Sequence, residues 1–544
     1  FVRRIRLMLL RLMLHRSTPA RVVLMLFACL VAGGLAPAAR GQEAADPASA
    51  AASAEEPLAA PARQSLADAI DAQFGTVVSS MATVLFWEPV PAAPIPLIVL
   101  ILLGGSVFFT VYFGFLNIRG FKHAIDITRG RYDNPDDPGE ISHFQALTSA
   151  LSATVGLGNI AGVAVAIQLG GPGAVVWMML IGLFGMTAKF NECTLAQIYR
   201  KVHPDGTVDG GPMHYLEIGL QERGFPFLIA KLFGLVFALF CIGGSFGGGN
   251  MFQANQATAA VRSMLGSWLG TAPGIDWIIG GIVAFLVGLV IIGGIRRIGQ
   301  VTEKIIPLMC GIYVLAGLVI LAMQAEKIPA AAALILRSCV SPEAAFGGFV
   351  GVLVQGIKRA VFSNEAGVGS AAIAHAAAKT DEPVREGLVA MLGPFIDTVV
   401  ICTMTALVVI VSGVYADPAA GEGVEMTRKA FADTFSWFPV ILNISVFLFA
   451  YSTMISWSYY GEKAWQYLFG KSRAAVISYR VIFLGFIVLG AVSSLKNVIE
   501  FSDLMILSMA FPNIIGGVIL APRVKAMLND YWARYQNNEF ATYR

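Results

Sequence analysis

Two long apolar stretches of this 544-residue chain are each interrupted in the middle by a Gly-x-Gly pattern. The first reads SATVGLGNIAG, with Gly156 and Gly158, and the second reads FSNEAGVGSAA, with Gly367 and Gly369. A helix that crosses a membrane must satisfy its backbone polar groups internally, so irregular backbone at membrane depth persists only where it lines a cavity. Interrupted segments at corresponding places in two halves of a chain are the best sequence indication of a transporter binding site.

The composition indicates a membrane protein. Hydrophobic residues make up 56% of the chain and charged residues only 13%, whereas soluble domains contain about 25% charged residues. The sequence therefore predicts an all-α polytopic membrane protein. The net charge of +3 gives no indication of nucleic-acid binding, and no cysteine spacing predicts a metal site or a disulfide framework.

The N-terminal region has the features of a signal peptide over residues 1–42. Arginines between Arg3 and Arg21 form a basic segment, Val22–Leu35 an apolar core, and Ala36-Pro37-Ala38 a cleavage candidate. The alternative is a short additional membrane helix. Residues 43–94 are predicted to form a periplasmic, partly disordered segment, since their first part is rich in Ala, Pro and Glu.

The hydropathy pattern predicts about eleven membrane spans after the signal peptide. They lie near residues 95–116, 143–168, 173–199, 227–262, 277–294, 304–323, 346–372, 387–414, 439–468, 480–494 and 500–521. Most Lys and Arg of the loops fall on one side if the mature N-terminus is outside, which is the arrangement that the positive-inside rule favours. We therefore expect a bacterial inner-membrane protein with a cytoplasmic C-terminal tail at 526–544.

This orientation makes the two interrupted spans antiparallel. The second span runs from inside to outside, and the seventh runs from outside to inside. Residues 95–525 are thus predicted to form one transmembrane domain that contains an inverted repeat of five helices plus five, over 143–323 and 346–521, after one extra N-terminal helix.

A helix break at membrane depth offers ligands of both signs. The amides that start one half bind carboxylates, and the carbonyls that end the other half coordinate cations. Leu157 and Gly158 are positioned to offer amides, Ser152 and Val155 carbonyls, and Asn159 a side-chain oxygen. The alternative is a glycine patch for close helix packing, which the second copy of the pattern disfavours.

Four ionisable residues lie within predicted spans, where such groups are costly and usually functional. Glu365 is a candidate for orienting the broken helix, for pairing with an ammonium group, or for carrying a coupling proton. Asp397 is a candidate for either a packing network or an ion pathway. We expect structural or gating roles for Lys189 and Glu192.

Several motifs between about residues 95 and 525 resemble the alanine or glycine:cation (sodium:alanine) symporters of the amino acid–polyamine–organocation superfamily. They include FQALTSALSATVGLGNIAGVAVAIQLGGPGAVVWM, FNECTLAQIYR, FSNEAGVGSAAIAHAAAKT and SWSYYGEKAWQYLFG. The chain departs from that family's pattern at Val176–Met179, where an FWMW sequence is usual, and at Gly248, where an Ile is usual.

The resemblance implies the inverted-repeat fold of the neurotransmitter:sodium symporters and assigns roles to individual residues. Sodium would lie between carbonyls of the first broken helix and hydroxyls of the ninth span. The implied cation ligands are Ser152, Val155, Ser452 and Thr453. The implied substrate-binding residues are Thr154, Gly156, Leu157, Gly158, Asn159, Asn250, Gln253, Phe362, Ser363, Thr453 and Trp457.

Within this set, some roles are more specific. Phe362 and Ser363 match an aromatic gate and an ion ligand, and Trp457 is placed to close a small pocket over an alanine-sized side chain. Asn250 and Gln253 lie on one helix face, where the alternative role is hydrogen bonding between helices.

The resulting functional prediction is a secondary active symporter that imports alanine or glycine with sodium by alternating access. The prediction includes no cofactor other than the coupling ion. The expected partners are the substrate, sodium and the lipid bilayer, with no nucleic acid and no obligate protein partner. An enzyme is disfavoured because the histidines form no HExxH or similar pair. A passive channel is the second alternative, and proton coupling through Glu365 or Asp397 is the third.

Overall fold

The computed structural model describes residues 66–89, 94–269, 274–340 and 348–543. The predicted signal peptide at 1–42 lies outside these ranges. By its internal contacts the chain divides into two units, one ending at Thr83 and one beginning at Val84. The described part of the first unit belongs to helix α1, Leu66–Leu85, which lies within the predicted N-terminal segment.

The second unit is built almost entirely from helices. Its first half contains α2 Leu97–Tyr112, α3 Leu116–Arg119, α4 Phe121–Thr128, α5 His143–Thr154, α6 Val163–Gly170, α7 Ala174–Ile198, α8 Pro212–Glu222, α9 Phe227–Phe246, α10 Phe252–Leu269, α11 Ile275–Ile291, α12 Gly294–Met323 and α13 Ile328–Ser338. Its second half contains α14 Gly348–Asn364, α15 Ala371–His375, α16 Pro383–Pro394, α17 Thr403–Val411, α18 Val424–Ala432, α19 Phe438–Phe469, α20 Arg473–Val492, α21 Leu495–Ser508 and α22 Ala510–Gln536.

Short irregular elements complete the unit. Three π-helical segments, Gly158–Gly162, Gly247–Met251 and Phe395–Cys402, lie at or within apolar helical runs. Single 3-10 turns cover Ala325–Lys327, Val414–Ala416 and Pro418–Ala420. A small antiparallel hairpin pairs β1, Lys201–Val202, with β2, Val208–Asp209.

The model confirms a multi-pass, mostly helical membrane protein. Among the described residues, seven helical runs are long and apolar enough to cross a membrane, or eight if the bent pair formed by α5 and Gly158–Gly170 is one span. Helices lie in all eleven predicted segments, but α2, α11 and α14 are shorter than that criterion requires. The number eleven and the inverted repeat therefore stay predictions.

Both predicted interruptions are present. Helix α5 ends at Thr154, and the helical axis bends by 51° before it resumes at Gly158. Helix α14 ends at Asn364, and the chain becomes helical again at Ala371. Between them Gly367 and Gly369 have φ of 81° and 93°, a left-handed conformation that glycine adopts at little steric cost.

Long helices hold the two breaks inside the protein. Helix α19 contacts α5, α9, α10 and α12, and α7 packs against α14 and α16. Gly387 allows the close approach of α16 to α7, since a Cβ there would lie 2.8 Å from the carbonyl oxygen of Phe190. The residues of both breaks are consequently buried.

Candidate functional site

The first break lies against the middle of α19. The Ser152 hydroxyl donates to the carbonyl oxygen of Ser452 at 2.8 Å, and the Thr453 hydroxyl donates to the carbonyl oxygen of Ser152 at 3.0 Å. Val155 is the first residue after α5 and has an extended backbone. The four residues predicted to hold a cation are thus brought to one place, which contains carbonyl and hydroxyl oxygens.

Two backbone amides at this break are unpaired. In the part of the chain that the structure describes, the N–H groups of Leu157 and Gly158 have no hydrogen-bond acceptor. The adjacent Gly156 N–H donates to Oδ1 of Asn159 at 2.8 Å. A cluster of free N–H groups at the start of a helix attracts a negatively charged group, so the amides predicted to bind a carboxylate are available.

Both polar atoms of the Asn159 side chain form hydrogen bonds within the protein. Its Oδ1 accepts from the Gly156 amide, and its Nδ2 donates to Oδ1 of Asp397 at 2.7 Å and to the carbonyl oxygen of the same residue at 3.0 Å. The side chain therefore braces the break, and its predicted role as a ligand through Oδ1 stays a prediction. Thr154 is also engaged, because its hydroxyl donates to the carbonyl oxygen of Ala150 at 3.1 Å.

Asp397 connects the first break to the second. The carboxylate is fully buried in the π-helical segment Phe395–Cys402. Besides Asn159, it accepts hydrogen bonds from Ser363 at 2.9 Å and from Thr398 at 2.7 Å. Asp397 therefore belongs to a hydrogen-bond network that joins the two breaks, and a role in an ion pathway stays a prediction.

Aromatic side chains and glycines border the same region. A Cβ on Gly158 would lie 3.1 Å from Cα of Ser363, so the two broken helices touch here. Trp457 packs against Gly249, and the Phe362 ring stands edge-on to Phe252 at 5.3 Å.

Ile506 of α21 fills the space beside Gly248. A Cβ at Gly248 would contact Cδ1 of Ile506 and lie 3.2 Å from the Phe362 ring. The small residue at this position therefore accommodates Ile506. Such a compensation between two distant helices is not visible in the local motif.

Asn250 and Gln253 lie on one helix face, but their side-chain amides donate to different acceptors. Asn250 donates to the carbonyl oxygen of Phe483 in α20 at 2.6 Å, which is the interhelical alternative considered above. Gln253 donates to the carbonyl oxygen of Gly248 at 2.8 Å, and its Oε1 is buried without a hydrogen-bond partner. That oxygen lies 3.7 Å from the position of a Cβ on Gly156, so an unused acceptor faces the first break.

The second break contains a buried carboxyl group. Glu365 accepts from Nε1 of Trp457 at 2.9 Å and from the hydroxyl of Ser370. Its φ of 55° is unusual for a residue that is not glycine. Glu365 was predicted from the sequence, but Ser370 was not, because a spacing of five residues across an irregular turn gives no periodic signal.

Lys189 and Glu192 also lie at the second break. Nζ of Lys189 is 3.7 Å from Oε1 of Glu192. Asn513 donates to Oε2 of Glu192 at 2.9 Å and to the carbonyl oxygen of Gly367 at 2.8 Å. This arrangement fits the predicted structural or gating role, and it adds Asn513, which the sequence analysis did not single out.

A further cluster joins the opposite ends of the two broken helices. Glu386 of α16 is fully buried. One carboxyl oxygen is hydrogen-bonded to Nδ1 of His143, the first residue of α5, and the other to Nδ1 of His375, the last residue of α15. The sequence did not predict this cluster because its members are far apart along the chain. The available indication in the sequence was Glu386 itself, a carboxylate in the first turn of an apolar span. Among the described residues no group of His, Cys, Asp and Glu has the arrangement of a metal site.

Comparison with known proteins gives a consistent result. The sodium:alanine symporter family model matches residues 83–543. The sodium/alanine symporter AgcS of Methanococcus maripaludis is 43% identical over 430 residues, covering 78% of this chain and 92% of that protein. The probable sodium/glutamine symporter GlnT of Bacillus subtilis is 34% identical over 441 residues, covering 80% of this chain and 87% of that protein.

A solved structure supports the fold. The crystal structure of MhsT in complex with L-phenylalanine aligns with a TM-score of 0.52 at 16% identity, covering 71% of this chain and 89% of that one. At this identity the similarity shows a common fold alone. The matched family and relatives are symporters, so the protein is a membrane transporter rather than an enzyme. The same matches support sodium and an amino acid as the transported species. The chain belongs to the sodium:alanine symporter family.

Proposed function

We propose that this protein is a secondary active symporter that moves alanine or glycine with sodium by alternating access. The observation that carries the proposal is the pair of unpaired amides at Leu157 and Gly158, next to the oxygens of Ser152 and Thr453. Amides and oxygens at one helix break suit an amino-acid carboxylate and a sodium ion side by side.

The ammonium group of the substrate requires an acceptor on the opposite side. Oε1 of Gln253 is buried, unpartnered and directed at the break, so it is the candidate. A buried acceptor left without a donor costs free energy, and a bound ammonium group would remove that cost.

The tight packing supports a small side chain. Trp457 lies against Gly249, and Phe362 and Ile506 close the space at Gly248. The same class of relatives includes proteins named for alanine and for glutamine. The close contacts in this chain favour alanine or glycine over glutamine, and we expect leucine to be excluded by steric overlap.

Alternating access would follow from the two-repeat arrangement. We infer that 143–323 and 346–521 form the repeats, and that the bundle made by the second, third, seventh and eighth spans rocks against the rest. The network through Asp397, Ser363 and Asn159 supports this, since it ties both broken helices into one body. The expected location is a bacterial inner membrane, with the C-terminus in the cytoplasm.

Reconstitution into liposomes tests the proposal. An inward sodium gradient is expected to drive uphill accumulation of labelled alanine, with competition by glycine and none by leucine. Replacing sodium by choline at constant pH should abolish accumulation. Uptake that persists in choline and follows a proton gradient would favour proton coupling, for which a relative named as a putative sodium/proton-dependent alanine carrier is a precedent. Equilibration without accumulation would indicate a channel and contradict the proposal.

A further inference from the structure

An apolar groove runs along the outer side of the first broken helix. It has a volume of about 330 Å³ and lies between α4, α5, α12 and the run from α16 into the segment Phe395–Cys402. Leu147 and Leu151 of α5 form one wall, and Ile306 and Cys310 of α12 form the other. Leu151 is one turn before the break, so the groove reaches the level of the candidate site.

The wall of the groove offers almost no free polar group. Two threonines line it, but the Thr128 hydroxyl donates to the carbonyl oxygen of Ala124 at 2.8 Å. The Thr148 hydroxyl donates to the carbonyl oxygen of Phe144 at 2.9 Å. Both hydroxyls are thus satisfied within their own helices, and the surface left to a ligand is hydrocarbon.

A single basic residue stands among the lining residues. Arg129 follows the end of α4, and its side chain is exposed. Within the described ranges it forms no ion pair or side-chain hydrogen bond, whereas the nearby Arg131 lies 3.8 Å from Asp126. A free guanidinium beside a hydrocarbon groove is complementary to a molecule with an anionic head and an apolar chain.

We infer that an anionic phospholipid occupies this groove. Its phosphate lies on Arg129, and one acyl chain runs along Leu147 and Leu151 toward Cys310. The groove faces the bilayer side of the helices, as the exposed Leu308 beside it indicates. A phospholipid supplies both required parts in one molecule, and anionic lipids are attracted to basic residues near the membrane surface.

Occupancy would hold α5 in its present position. The proposed symport mechanism requires the bundle that contains α5 to move relative to α12, and this consequence alone rests on that proposed function. The binding itself depends only on the groove. Lipid binding measured without transport therefore separates failure of this inference from failure of the symport proposal.

The test is native mass spectrometry of the full chain after incubation with an equimolar mixture of phosphatidylglycerol and phosphatidylcholine. The wild type is expected to retain phosphatidylglycerol preferentially. Arg129→Ala should lower the ratio of retained phosphatidylglycerol to retained phosphatidylcholine about fivefold, which is the effect expected of one basic residue near an anionic surface. Arg131→Ala, an equal charge change outside the groove, should leave the ratio unchanged.

A second pair of variants tests the acyl-chain path. Cys310→Phe fills the groove and should reduce retention of both lipids, while Cys339→Phe, at another partly exposed cysteine outside the groove, should not. The thermal midpoint of each variant shows whether it is folded. Equal lipid ratios for Arg129→Ala and Arg131→Ala, or equal retention for the two cysteine variants, would overturn the inference.

Discussion

Nε1 of Trp457 donates a hydrogen bond of 2.9 Å to Oε1 of Glu365, and this bond ties α19 to the second helix break. Glu365 has a φ of 55° and is almost completely buried. A residue in this left-handed conformation persists only when its surroundings fix it. Trp457 and Ser370 supply that constraint, so the shape of the second break depends on a residue of α19.

Trp457→Phe tests this constraint. Phenylalanine keeps an aromatic ring but removes the donor, so Glu365 loses one hydrogen bond. We expect the free energy of unfolding to fall by about 2 kcal/mol, the range for a hydrogen bond to a charged group. Thermal unfolding in detergent measures the effect. Trp437→Phe, at a residue that is 55% exposed, is the control, and an equal thermal midpoint for both variants would contradict the account.

Asp397→Asn tests the connection between the breaks. The carboxylate accepts from Asn159, Ser363 and Thr398, and an amide has one oxygen in place of two. We expect the initial rate of sodium-driven alanine uptake to fall about tenfold, which corresponds to about 1.4 kcal/mol. Asp530→Asn, at an exposed carboxylate of α22, should keep the wild-type rate. Equal rates in the two variants would show that Asp397 does not matter for transport.

Glu386→Gln tests the cluster that joins α5 to α15. Glutamine replaces one carboxylate oxygen by an NH2 donor and removes the negative charge, so it cannot accept from both His143 and His375 in the way the carboxylate does. Because breaking a buried ionic hydrogen-bond cluster is strongly destabilising, we expect a loss of about 3 kcal/mol in the free energy of unfolding. Glu425→Gln disrupts an exposed pair with Arg428 and should cost under about 1 kcal/mol. A similar cost in both variants would argue against the structural role.

His123 predicts a pH dependence of stability outside the membrane spans. Its side chain is 2% exposed, and burial, opposed by Asp126 and assisted by Arg385, lowers the pKa of His123 to about 4. An unfolded histidine has a pKa of about 6.5. Between these values the unfolded chain binds a proton that the folded chain does not, so stability decreases as the pH falls from about 6.5 to about 4.

Thermal midpoints at pH 7.5 and pH 5.0 check this prediction. The wild type should lose stability between the two conditions. His123→Gln preserves a hydrogen-bonding group for Tyr531, whose hydroxyl lies 2.7 Å from Nε2, but cannot be protonated. The loss between the two pH values should be smaller in this variant. An identical change in midpoint would assign the pH dependence to other groups.

The local sequence was sufficient to predict the helix breaks. Glycine pairs interrupt otherwise apolar runs at 156–158 and 367–369, and the backbone is irregular there. Irregular backbone persists at membrane depth only where it is buried in protein or lines a cavity. The residues next to the first break, Ser152 and Thr453, were also predicted to meet, and they do. The predictions from family motifs and from the physics of helix ends agree in this region.

Side-chain partners across the bundle were not predictable in the same way. Oδ1 of Asn159 accepts from the Gly156 amide and Nδ2 donates to Asp397, and the local motif predicted neither partner. Ile506 replaces the bulk that Gly248 lacks, although the two are far apart in sequence. Such pairings depend on how helices pack, and periodicity and spacing carry no information about them.

The π-helical segments were missed for a related reason. The segments Gly158–Gly162, Gly247–Met251 and Phe395–Cys402 differ from α-helix by one residue in hydrogen-bond register. That register is set by tertiary contacts, and π-bulges are frequent at functional sites. All three segments border the candidate site. A sequence signal for them would therefore have indicated where the site lies.

Sodium-dependent binding of labelled alanine to Gly158→Ala and Gly162→Ala tests whether the amides of the first break hold the substrate carboxylate. Both changes add one methyl group within the segment Gly158–Gly162. At Gly158 the new Cβ would lie 3.1 Å from Cα of Ser363, whereas at Gly162 the nearest atom is the carbonyl oxygen of Leu157 at 4.0 Å. If the Leu157 and Gly158 amides hold the substrate carboxylate, the Kd should rise about tenfold or more in Gly158→Ala, equivalent to about 1.4 kcal/mol, and stay near the wild-type value in Gly162→Ala. Equal, wild-type affinity in both folded variants would contradict the claim and place the carboxylate site elsewhere.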